Sequence, residues 1–322
     1  MKNRDCYHIA FCADDTYSQY IAVVIKSIAE NNQSGFVTIH FLTNHISDIN
    51  IKRITDVVDE YEHIELEIHR IDDSPLRTLK VTAGWPIQVW YRLLIPEILD
   101  NSIKTVLYLD VDTLVMSDLG ELFATNLEGV SVAGTVEASV FDKSYYERIG
   151  VEYDEKYLCA GVLLMNLEFW RENNLTQKMI DWAKTHKTKM LDQDTVNHVC
   201  YDSKKILPMR YGVVQFYFSI DDFYRKPYLP ELSECLEHPA IIHYASCVPW
   251  YKDAPKHIMY DRWQKYNKML RHPVRRIYKS KGLLKLKLII WNLLHAFENR
   301  GDRITTDGIR AKINDIKNGF GL

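Results

Sequence analysis

Along the first two-thirds of the chain, short apolar runs alternate with stretches whose apolar residues recur every three or four positions. Residues 7–13 (YHIAFCA) form a strand-like run closed by Asp14 and Asp15. Residues 17–30 follow with Tyr20, Ile21, Val24, Ile25 and Ile28 at helical spacing. Residues 37–43 (VTIHFLT) read as a second strand, and 48–61 as a helix with Ser47 as its cap and Ile54, Val57, Val58 and Tyr61 on one face. Residues 64–71 read as a third strand and 88–99 as a helix. Residues 105–109 (TVLYL) are apolar without a break, as a strand buried on both faces of a parallel sheet must be. This β-α-β-α rhythm predicts an α/β domain with helices covering a mainly parallel, Rossmann-like sheet. In such sheets ligands sit beyond the carboxyl ends of the strands.

Composition narrows the class. With 322 residues, 47% of them hydrophobic, the chain can bury a sizeable core. Its six cysteines (Cys6, Cys12, Cys159, Cys200, Cys235, Cys247) are scattered without a C-x-x-C pair. That argues against a zinc site and a disulfide framework and fits free thiols in a reducing cytoplasm. The charged start MKNRD leads directly into the first strand, and no uncharged run reaches the roughly 18 residues a membrane span needs.

Charge divides the chain. Residues 1–261 hold 39 acids against 25 bases, whereas 262–322 hold 4 acids against 15 bases. We therefore expect one acidic folded domain over about residues 1–262 and a basic region over 263–322. In residues 271–297, seven Lys and Arg precede or interleave with apolar residues, and Leu283, Leu286, Ile290, Leu293 and Phe297 recur at helical spacing. Such a helix suits the headgroup region of an anionic membrane; packing back on the domain or forming a dimer seam are the alternatives. No nucleic-acid partner is expected.

Several acids stand where this fold places its ligand. Asp110-Val111-Asp112 closes the TVLYL strand, and residues i and i+2 there project to one side. Two hard oxygen ligands suit Mg²⁺ or Mn²⁺ bridging to phosphates, though solvated acids at a strand end look the same in sequence, and a second D-x-D occurs at Asp192-Gln193-Asp194. At the end of the first strand, Asp14, Asp15 and Thr16 either contact a nucleoside or cap the following helix. His243 ends another apolar run; it is either a structural hydrogen-bonding residue or an imidazole ligand that would favour Mn²⁺. Arg92, a lone cation in WYRLL, either rides outward or turns in to pair with acids or a diphosphate.

Taken together, these segments resemble glycosyltransferase family 8, which contains bacterial lipopolysaccharide galactosyl- and glucosyltransferases and glycogenin. The likeness runs over about residues 7–263 through FCADDTY (11–17), WYRLLIP (90–96), VLYLDVDTLV (106–115), CAGVLLMNLEFW (159–170), LDQDTVN (191–197) and IIHYASCVPW (241–250). It implies a GT-A fold and transfer of galactose or glucose from a UDP-sugar, with retained configuration, to a glycan or glycolipid. It implies further that Asp110, Asp112 and His243 ligate Mn²⁺, that Asp14 with Asp15 and Thr16 meets the nucleoside, and that Arg92 and Val111 lie against the donor. Asp192 and Gln193 would then border the anomeric carbon, Asp192 being the nearest candidate nucleophile. Three positions depart from the family pattern. Thr16 and Cys159 stand where many members have Asn, and Ser246 stands at a usual glycine. The usual lysine before Pro-Trp is also missing, leaving Lys252 as the nearest cation for the diphosphate. A nucleotidyltransferase is a weaker rival, because a glycine-rich loop after the first strand is lacking. A non-catalytic sugar-nucleotide or membrane-binding protein of the same fold is the other. For relatives that build surface glycans, the inner face of the membrane is the expected place of action.

Overall fold

A computed structural model describes residues 6–81, 85–137, 139–140, 142–219 and 229–279. Strand β1 (Cys6–Cys12) leads into helix α1 (Asp15–Asn31), β2 (Phe36–Thr43), helix α2 (Asp48–Val58) and β3 (Ile64–Arg70), within a residue or two of the periodicity except at the end of α2. Strands β4 (Thr105–Leu109), β5 (Thr113–Val115), β6 (Val132–Val136), β7 (Leu158–Asn166), β8 (Lys204–Ile206), β9 (Val213–Val214) and β10 (Ile241–His243) follow.

Seven strands form one sheet in the order β3-β2-β1-β4-β7-β6-β8. Six run parallel; β7 alone is reversed, pairing antiparallel with both β4 and β6. The mainly parallel α/β sheet expected from the sequence is therefore present, with one reversed strand in its interior. A second, three-stranded sheet has the order β5-β10-β9. Apolar side chains from β1, β2, α1 and α2 pack with those of β5 and β10 on one face of the large sheet, while the segments around Trp90 and Trp170 cover the other.

One helix differs from expectation. The WYRLLIP segment is a 3-10 helix, Ile87–Leu94, followed by the single turn Ile95–Ile98, rather than one α-helix. Pro96 has no N–H to give the carbonyl of Arg92, and the Ile95 N–H bonds that carbonyl instead, which tightens the turn.

Packing continues past residue 262. Trp263 and Tyr266 on the helix Tyr260–Met269, then Leu270 and Val274, are buried in the main core. Among the described residues no helix is long and apolar enough to cross a membrane. The apolar part of the basic region, residues 280–297, lies outside the described residues.

Candidate active site

The turn Asp110-Val111-Asp112 links the two sheets. The Thr113 N–H and Oγ1 both donate to the Asp110 carbonyl, at 3.1 and 2.8 Å, closing a tight turn between β4 and β5. Strand β10 pairs antiparallel with β5 so that His243 lies opposite Thr113, and the Tyr244 N–H bonds the Asp112 carbonyl at 2.8 Å. This register delivers His243 Nε2 to 3.3 Å from Asp112 Oδ1 and 3.8 Å from Asp110 Oδ2. One ligand atom from each of the three residues lies within 4.8 Å of the others. A cation can sit among them. Burial is the largest single influence and pulls the His243 imidazole down, but Asp112 and Cys159 together outweigh it, and its pKa stands well above the ordinary value.

Gly161 explains how the ring fits. A Cβ built on it would come within 2.6 Å of His243 Nε2 and 2.7 Å of Nδ1, so the imidazole fills the space a side chain on β7 would take. On its far side, Nδ1 faces the buried Cys159 thiol at 3.6 Å. Just beyond β10, Ser246 has φ +62°, a left-handed conformation that glycine adopts without strain. Trp250 then stacks on Tyr20 of α1, ring centres 3.7 Å apart and 8° from parallel, which pins this loop to the body.

Arg92 turns inward and is 5% exposed. Its Nη2 donates to Asp110 Oδ1 at 3.0 Å, its Nε lies 2.9 Å from Asp192 Oδ2, and its Nη1 donates to the Ala160 carbonyl. The guanidinium also lies 4.2 Å from the centre of the Tyr108 ring, whose hydroxyl donates to Asp110. One buried cation thus ties together the D-V-D turn, β7 and the L-D-Q-D segment, and a charge this deep persists only when so paired.

Asp192 and Gln193 begin the helix Asp192–Val199. Leu191, immediately before it, holds φ +48° and ψ −117°, a strained conformation for a γ-branched residue. Burial pushes the Asp192 carboxyl up to about 7; Arg92 pulls it down and Asp110 pushes it up. Gln193 Oε1 accepts the Ala160 N–H at 2.8 Å and its Nε2 points at Met190 sulfur. The second D-x-D is not a pair: Asp194, fully buried, accepts from Arg148 at 2.9 and 3.0 Å, Tyr157 Oη at 2.5 Å and Lys189 N at 2.6 Å. It holds the strained turn in shape, a role the sequence did not reveal.

The remaining expected residues divide. Asp14 caps α1, accepting the Tyr17 N–H at 2.8 Å. It leaves β1 beside β4, hence at the same sheet edge as Asp110. Asp15 is engaged elsewhere: it accepts from Ser47 N and Oγ and from Asn50 Nδ2, each at 2.8 Å, tying α1 to the start of α2. Thr16 is exposed, and Val111 is partly buried against the core. Lys252 is exposed, with its ammonium 5.3 Å from the Tyr278 ring centre.

A family model described as glycosyl transferase family 8 matches residues 8–254. The chain belongs to glycosyltransferase family 8. General stress protein A of Bacillus subtilis (strain 168) is 26% identical over 280 residues, covering 82% of this chain and 96% of that protein. The lipopolysaccharide 1,2-glucosyltransferase of Escherichia coli is 26% identical over 219 residues, covering 66% of this chain and 64% of the relative, a little under two thirds of its length. Among solved structures, galactosyltransferase LgtC in complex with donor and acceptor sugar analogs superposes with TM-score 0.71 at 24% identity, covering 82% of this chain and 96% of that one. That likeness is one of fold, and it identifies the seven-stranded sheet with its reversed strand as a GT-A arrangement.

Proposed function

We propose that this family 8 glycosyltransferase is a metal-dependent, retaining hexosyltransferase that moves galactose or glucose from a UDP-sugar to a glycan or glycolipid acceptor. The observation that carries this reading is the meeting of Asp110 and Asp112 with His243, from separate strands, at the carboxyl edge of the sheet. The residues fit a divalent cation. Two carboxylates and one imidazole suit Mn²⁺ better than Mg²⁺, and Gly161 leaves the cradle the imidazole needs. Asp110, Asp112 and His243 would hold the ion, which supplies positive charge where the departing diphosphate becomes more negative.

The other residues position and enclose. Asp14 and Thr16, at the end of β1, meet the nucleoside, and Val111 lies against it between the two carboxylates. Asp15, whose carboxylate is taken by Ser47 and Asn50, shapes that end of the site from behind. Arg92 fixes Asp110 and Asp192 at one spacing. Gln193 borders the anomeric carbon. Asp192 does so with its carboxylate held beside Arg92, which favours positioning over nucleophilic attack. Retention is then reached by approach on the leaving-group face. The acceptor oxygen bonds to the anomeric carbon, the bond to the UDP oxygen breaks, and the acceptor proton passes to that leaving oxygen. Lys252, whose ammonium lies 5.3 Å from the Tyr278 ring centre, would be the cation for the diphosphate.

The test is UDP release from a panel of UDP-sugars by the full-length protein with Mn²⁺. One hexose should support release, and Asp112→Asn or His243→Ala should lower the rate on the order of 100-fold or more. UDP binding with no release from any sugar, with or without a glycan acceptor, would leave a binding protein of the same fold.

A further inference from the structure

Away from this site, three imidazoles and a carboxylate stand together on strands β1 to β3. Ala10 pairs with His40, His40 with Glu67 and Leu42 with His69, so alternation along the strands sets His8, His40, Glu67 and His69 on one face of the sheet. His40 Nδ1 lies 3.1 Å from His69 Nε2 and 3.2 Å from Glu67 Oε2, and the last two are 3.4 Å apart. We propose that His40, His69 and Glu67 form a second metal site, one that takes Zn²⁺ with a solvent molecule as fourth ligand and staples the edge strand β3 to β2.

The spacing carries the assignment. In a tetrahedral zinc site with bonds of about 2.0–2.1 Å, ligand atoms are about 3.3–3.4 Å apart. The three separations of 3.1, 3.2 and 3.4 Å lie at or a little under that edge length, so a small outward shift of two side chains would seat the ion. The surroundings orient the rings. His40 Nε2 is 3.0 Å from His8 Nδ1, and His8 Nε2 is 3.8 Å from Cys6 Sγ. A proton on His40 Nε2, donated to His8, leaves the Nδ1 lone pair facing Glu67 and His69, the outer-sphere arrangement that metal-binding histidines use. An ion has a route in. The Glu67 side chain is 49% exposed, and His69 lines an open depression of about 490 Å³ with Asp72, Leu94 and Glu97. Two imidazoles and one carboxylate are softer than the Asp110 set, so zinc is preferred over Mn²⁺ and Mg²⁺. The scattered cysteines speak only against thiolate zinc sites; this one needs none.

The experiment titrates metal-free, untagged, full-length protein with Zn²⁺ against a competing chelator, and with Co²⁺ as a spectroscopic probe. Wild type and Asp112→Asn/His243→Ala should both retain one tight Zn²⁺, show the intense visible bands of four-coordinate Co²⁺, and melt at higher temperature with zinc. In the Asp112→Asn/His243→Ala background, His69→Ala should lose all three signals while keeping its metal-free melting transition. His8→Ala should weaken Zn²⁺ about 10- to 100-fold. Should His69→Ala not fold, exposed Glu67→Gln replaces it, with at least tenfold weaker zinc expected. Unchanged zinc affinity in His69→Ala or Glu67→Gln, or loss of all zinc in Asp112→Asn/His243→Ala, overturns the site and leaves a hydrogen-bonded histidine chain.

Discussion

A single hydrogen atom, the side chain of Gly161, decides whether His243 reaches the acid pair. Gly161→Ala would put a methyl group where the ring lies, so the ring or the β7 backbone must shift. The expected outcome is Mn²⁺ binding at least tenfold weaker, with UDP release falling in step. The stability loss should be only about 1–3 kcal/mol, the usual cost of overpacking. Metal titration beside a thermal melt separates the two effects; wild-type metal affinity would show that the ring and strand do not compete. At this scale the sequence was partly legible. Asp110, Asp112 and His243 announce themselves because each closes an apolar run. Gly161, Asp194 and the β1–β3 histidines do not. Their roles depend on which side chains meet across different strands and helices, and periodicity along one segment carries no record of that. Ser246 is a middle case: its left-handed φ is one that glycine, the residue the family resemblance leads one to expect there, adopts without strain.

Among the elements, the helix Asp192–Val199 shows how a strained turn is kept. Asp194 collects Arg148, Tyr157 and two backbone N–H groups beneath Leu191. Asp194→Asn would leave Arg148 without its buried counter-charge, and the loss should be about 3 kcal/mol in denaturant melts near neutral pH. The pH dependence follows. Burial raises the Asp194 carboxyl, but Arg148, Tyr157 and the Lys189 N–H outweigh it, and its pKa lies below the ordinary value. A carboxyl lowered in the folded state contributes fully above its unfolded pKa, about 3.9, and the contribution is lost as pH falls through the folded value. The gap between wild type and Asp194→Asn should therefore be constant from pH 7 to 5 and shrink below about 4. A gap that holds at pH 3 would show that the carboxylate charge contributes nothing. The strands and helices of the first half were readable because each is either a short run rich in apolar residues or a set of apolar residues at helical spacing, bounded by polar residues. The reversal of β7 was not, since LCAGVLLMN is apolar on both faces and says nothing of direction. The 3-10 helix hides behind an apolar pattern that an α-helix would share.

At the scale of the molecule, residues 271–279 belong to the body rather than to a free tail. Arg276 donates to the carbonyls of Pro249 and Tyr251 at 2.9 and 2.8 Å, and Ile277 bridges to Tyr251. Membrane attachment through the basic region is our proposal, and its test must spare that clamp. The full chain should co-sediment with vesicles containing anionic lipid, release with added salt, and lose binding when residues 280–322 are removed. Equal sedimentation by both proteins would end the proposal. The division of the site between two sheets has a consequence for synthesis. The last strand of the large sheet ends at Ile206, and His243 follows 37 residues later. All seven strands of the large sheet, and both carboxylates, are thus made before the imidazole. The grip on the cation can close only once the chain has grown past every strand of the large sheet.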